Sequence, residues 1–96
     1  MIYTFHPHAE KELEEIENHY DSIRKELGDR FRDEIQMTIS RILKFPNIGQ
    51  PLSPDIRRCS LKTFHYGIVY LVNAREIRLL AVMHHHREPE YWAYRA

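Results

Sequence analysis

Ile77-Arg78-Leu79-Leu80-Ala81-Val82-Met83 reads as one buried strand, and it ends abruptly in His84-His85-His86-Arg87. Its apolar side chains suit a pleated, covered surface. The imidazoles and guanidinium at its end are costly to bury and useful for gripping a partner. A strand that delivers polar groups to its mouth is a common way to build a site. Pro89, Tyr91, Trp92, Tyr94 and Arg95 follow at once, and residues 88–94 predict a short helical turn.

Working outward, residues 66–73 and 56–62 predict two further strands, with Asn73-Ala74-Arg75 as the reversal into the last one. Arg78 and His84 are polar, so strict alternation turns the even positions of the last strand away from the core. Ile77, Leu79, Ala81 and Met83 then face inward, as do Tyr66, Ile68, Tyr70 and Val72 of the preceding strand. Val69, Leu71, Leu80 and Val82 are left on the opposite face, bordered by Arg58, Ser60 and His84. That face is too apolar to stand in water, so the Tyr91-Trp92 tail, a second protein, or each in part covers it.

The first half of the chain supplies the inner layer. Ile2-Tyr3-Thr4-Phe5 predicts a short strand, and Pro7 suits the first turn of a helix. Ala9, Leu13, Ile16, Tyr20, Ile23 and Leu27 draw one apolar stripe at helical spacing. Glu10, Glu12, Glu14, Glu15 and Glu17 read as its solvated side. Gly28 is placed to end this helix in a left-handed conformation, with Asp29 capping the next. Phe31, Ile35, Ile39, Ile42 and Leu43 line the second helix, which stops before Pro46. So short a turn makes the pair an antiparallel hairpin. Pro46, Gly49, Pro51 and Pro54 predict a loop over residues 46–55. The expected architecture is α+β, in the order β-α-α-β-β-β, with the helix hairpin on one face of a small, mainly antiparallel sheet and a short C-terminal helical tail.

Ninety-six residues fit a single domain over 1–96, able to bury roughly 60 to 65% of its unfolded surface. No apolar run is long enough to span a bilayer, and no signal peptide is expected, so the chain reads as cytoplasmic and without a membrane partner. The lone Cys59 excludes an internal disulfide and reads as a small buried thiol. Net charge is zero, yet residues 1–40 carry 10 acidic and 5 basic side chains while residues 41–96 carry 4 and 9. The total argues against a general phosphate binder, whereas the asymmetry leaves room for one positive face.

The order strand, helix hairpin, Pro-rich loop, three strands, aromatic tail resembles the RelE/ParE superfamily of type II toxin–antitoxin toxins, the plasmid stabilisation family. The resemblance runs over almost the whole chain. It rests on Phe5-His6-Pro7-His8-Ala9, similar to that family's opening F-x-P-x-A, and on Leu27-Gly28-Asp29-Arg30-Phe31. Ile56-Arg57-Arg58, Phe64-His65-Tyr66-Gly67-Ile68-Val69-Tyr70, and the closing His84, Arg87, Pro89, Tyr91-Trp92 and Arg95 complete it. Two positions depart: His6 replaces the usual Ser or Thr cap, and Gly67 stands where a basic side chain is frequent.

The resemblance implies a growth-inhibiting toxin, a cognate antitoxin wrapping the hairpin and adding to the sheet, and a heterotetramer or larger complex with it. Val69, Leu71, Leu80 and Val82 are the expected antitoxin-binding residues. It implies two targets. ParE-like inhibition of DNA gyrase by binding would use Arg57, Arg58, Lys62, Arg87, Trp92 and Arg95. RelE-like cleavage of messenger RNA on the ribosome would need proton exchange at His84 or His86, a cation such as Arg87 on the phosphate, and Tyr91 beside the base. The family also allows an inactive module that only binds antitoxin. His84 and His86 share a strand face while His85 points away, too few ligands for one ion, so neither metal nor cofactor is expected.

Overall fold

The computed structural model describes residues 2–87 and 90–96. The predicted helical turn over 88–94 and the family-like Pro89 therefore fall partly outside the described residues. Ile2–Phe5 forms β1, Pro7–Ile23 α1, Lys25–Lys44 α2, Gln50–Pro51 β2, Ile56–Ser60 β3, Tyr66–Val72 β4 and Glu76–His84 β5. A single 3₁₀ turn, Ala93–Arg95, lies in the C-terminal tail. The strand order is β1-β5-β4-β3-β2; β1 runs parallel to β5 and every other pair is antiparallel. The α+β architecture is as expected, with one addition. The loop predicted over residues 46–55 contains β2, in which Gln50 and Pro51 pair with Arg58 and Arg57. Pro51 is tolerated because β2 is an edge strand.

The helix break also differs. The expected stop at Gly28 is replaced by Arg24, which is extended at φ −160°, and Gly28 sits inside α2. What Gly28 supplies is close approach. A Cβ there would collide with the Asp21 carboxylate of α1, which pairs with Arg32 of α2. The hydrogen bond from Arg32 holds the Asp21 carboxyl below its ordinary 3.8. The stability contributed by this group is therefore complete above that value and is lost as pH falls through the lower folded one. Thermal melts from pH 6 to pH 2 are expected to show this fall, and Asp21→Asn should flatten that part of the profile.

The hairpin covers one face of the sheet. Phe31, Ile35, Ile39 and Ile42 of α2 meet Cys59, Ile68, Tyr70, Ile77, Leu79 and Val82, with Leu13, Ile16 and Tyr20 of α1 completing the layer. Cys59 is buried here, and burial raises its pKa. Tyr70 is fully buried and pins the 46–55 segment: its hydroxyl accepts from Gly49 N at 3.0 Å and donates to the Pro46 carbonyl at 2.8 Å. Tyr70→Phe leaves the Gly49 N–H without its partner and is expected to cost about 1–3 kcal/mol. Urea unfolding measures this, and an unchanged midpoint would show that the pin carries no stability.

The last strand breaks strict alternation. Tyr70 pairs with Leu79 but Val69 pairs with Ala81, so Leu80 is an extra residue, a β-bulge. Beyond it every side chain changes face. Val82, expected on the outer face, is 3% exposed in the helix-side core. Ala81 and Met83, expected inside, lie on the outer face with Val69, Leu80 and Ile56.

Candidate functional site

The outer face is covered by the chain's own tail. Trp92 is 6% exposed and packs with Ile56, Val69, Leu80, Ala81 and Met83, while Leu71 and Tyr91 border the cluster. Of the four expected antitoxin-binding residues, Val69 and Leu80 are therefore sealed beneath the tail, Val82 lies on the far side, and Leu71 alone is half-buried. The tail thus supplies one of the two expected covers for this face.

Glu12 holds the tail down. The bulge turns the Val82 N–H towards α1, where it donates to Glu12 Oε1 at 3.1 Å. Tyr91 donates its hydroxyl to Glu12 Oε2 at 2.8 Å, and Arg95 Nη1 reaches Glu12 Oε1 at 3.0 Å. The same Arg95 nitrogen donates to the Leu80 carbonyl at 2.9 Å, so the tail stitches both sides of the bulge. Arg95, predicted to contact the target, is a 7% exposed side chain spent inside the molecule. Burial and the neighbouring Glu12 carboxylate push the Tyr91 phenol well above its ordinary value. By sequence, Glu12 belongs to a wet acidic face. Its role follows from the bulge and from a tail residue 83 positions away, and neither leaves a local signal.

The other expected residues separate. Arg57 and Arg58 are neighbours on β3 and point to opposite faces. Arg57 Nη1 donates to the carbonyls of Asn47 and Gly49 at 3.0 and 2.8 Å, whereas Arg58 lies on the outer face beside Gly67. Lys62 is exposed after β3. Arg87 sits 4.1 Å above the Tyr91 ring, a cation–π contact at the edge of the tail. A groove of about 280 Å³ runs between α1, β5 and the tail, lined by Glu12, Ile16, His19, His84, Arg87 and Tyr91 among others.

The bulge also rearranges the histidines. His84 turns to the helix side, its ring 5.1 Å from that of Tyr66, and its Nδ1 accepts from the His86 N–H at 3.1 Å. It is His85 that comes under the influence of Arg58 on the outer face. Desolvation, then the Arg58 charge, lowers its pKa. In a regular strand His85 would point away from the face that His84 and His86 share. Among the described residues no three His, Cys, Asp or Glu side chains are placed to share a metal ion. Among the same residues no helix is long and apolar enough to cross a membrane.

Comparison with known proteins gives a consistent picture. The model of a family described as the ParE toxin of type II toxin–antitoxin systems, parDE, matches residues 3–89. No curated protein matches the chain. Among solved structures, the chromosomal ParDE toxin–antitoxin system from P. aeruginosa contains a chain similar in fold, with a TM-score of 0.74. The two are 19% identical, over 88% of this chain and 95% of that one.

Proposed function

Because the chain belongs to the ParE toxin family of type II toxin–antitoxin systems, we propose that it arrests growth by binding DNA gyrase and is neutralised by a cognate antitoxin. The observation that carries a binding rather than a cleaving toxin is where the candidate proton-transfer groups are committed. The Tyr91 hydroxyl is given to Glu12, His84 faces Tyr66 and accepts from the His86 backbone, and Arg87 stacks on Tyr91. Acid–base cleavage needs an acid, a base and a cation converging on one phosphate. His84, Arg87 and Tyr91 share the groove beside α1, but the Tyr91 hydroxyl and the His84 Nδ1 are already engaged within the chain, and His86 does not line it.

The antitoxin and gyrase would both be met in the cytoplasm, the compartment this reading requires. A ribonuclease acting on ribosome-bound message is the second reading, and one observation favours it. His84, Arg87 and Tyr91 line one groove with Glu12, which sets an imidazole, a cation and an aromatic ring side by side. Expression of the chain alone, followed by supercoiling assays and by mapping of message ends, separates the two. Growth arrest with inhibited supercoiling and intact message is the expected result. Cut message with normal supercoiling overturns the gyrase reading, and unimpaired growth at full expression overturns the toxin reading.

A further inference from the structure

On the outer face the Arg58 guanidinium has two buried nitrogens, Nε and Nη2, that lack a hydrogen-bond partner among the described residues. These two form one edge of the guanidinium and present parallel N–H groups, the fork that fits both oxygens of a carboxylate. Gly67 makes room for it: a Cβ at that position would lie 2.7 Å from Arg58 Nε and 3.4 Å from Cζ. Beside the guanidinium is a cleft of about 250 Å³ lined by Leu52, Arg58, Met83, Glu90 and Trp92. Two guanidinium N–H groups shut off from water without an acceptor are costly, and an occupant that supplies one is favoured. Every other arginine engaged above has its partner: Arg32 has Asp21, Arg57 has two carbonyls and Arg95 has Glu12.

We propose that this cleft receives one carboxylate side chain from an extended, otherwise apolar segment of a partner protein. The carboxylate takes the Nε/Nη2 fork of Arg58, and its apolar neighbours lie on Leu52, Met83 and Trp92. The inference rests on the toxin reading above and names what the antitoxin offers to this face. Charge complementarity decides the occupant. A nucleic-acid strand needs several cations along its path. Here Arg57 points to the opposite face, Arg87 engages Tyr91, and Glu90 at the rim penalises a polyanion more than a single carboxylate. Trp92 both lines the cleft and holds the tail, so an occupant that reaches the buried fork moves the indole.

Trp92 is the chain's single tryptophan, so its fluorescence reports that movement. The probes are a blocked leucine-rich peptide with one central glutamate, the same peptide with glutamine, and a short oligothymidylate. The expected result is a saturable Trp92 emission shift with the glutamate peptide, at least about tenfold weaker with the glutamine peptide. Arg58→Met roughly keeps the side-chain volume and removes the unpaired donors, so the variant folds and the preference for glutamate disappears. Equal affinity for the two peptides, equal affinity of wild type and Arg58→Met, or no saturable shift in folded wild type overturns the proposal. Tighter saturation by the oligothymidylate also overturns it, in favour of a nucleic-acid site. Growth arrest on expression is scored separately, so a failed cleft and a failed toxin reading give different results.

Discussion

Glu12→Ala is expected to destabilise the fold by roughly 3 kcal/mol or more, a large effect for one carboxylate on a helix flank. The reason is what the change leaves behind. The Arg95 guanidinium, with 7% of its side chain exposed, loses its counter-charge. The Val82 N–H freed by the bulge loses its acceptor, and so does the Tyr91 hydroxyl. Breaking a buried pair from one side costs far more than the pair itself contributes. Glu12→Gln retains a single acceptor oxygen and should cost less. Replacing Glu12 and Arg95 together by leucines should recover part of the loss. Urea denaturation of the four proteins reads the series. A loss below about 1 kcal/mol for Glu12→Ala would place this contact among ordinary surface ion pairs.

Leu80→Glu is expected to prevent folding near neutral pH, with a cost of several kcal/mol for burying a carboxylate among Val69, Ala81 and Trp92. Leu80 is 0% exposed because the tail lies over it. Val82→Glu should be equally damaging for a different reason, since Val82 lies under the helices. Strict alternation would have put both residues on one accessible face and made both changes tolerable. Circular dichroism of the two purified variants decides. A folded Leu80→Glu protein with near wild-type stability would mean that the tail does not seal the outer face.

Periodicity carried most of the architecture. The helix stripes, the β4–β5 hairpin and the inward set Tyr66, Ile68, Tyr70 and Val72 all follow from spacing and β-propensity. The misplaced residues share one cause. Leu79-Leu80-Ala81 is uniformly apolar and holds no glycine, so nothing local marks the extra residue. Once Leu80 bulges, Val82 trades faces with Ala81 and Met83, and His85 rather than His84 reaches the Arg58 side. Glycine usually signals a turn, but Gly28 is needed for space beside Asp21 and the helices break at Arg24 instead. Arg95 resembled a free surface cation because its partner Glu12 sits at the other end of the chain. The site was legible in its residue types; its connectivity depends on one irregularity and two long-range pairs.

The parallel pairing of β1 with β5 has a kinetic corollary. Residues 2–5 find their partners at residues 76–79, so the first strand waits for the last described one to be made. At typical elongation rates that interval lasts roughly 4–15 s. During it the nascent hairpin holds its greasy stripe without the platform it needs.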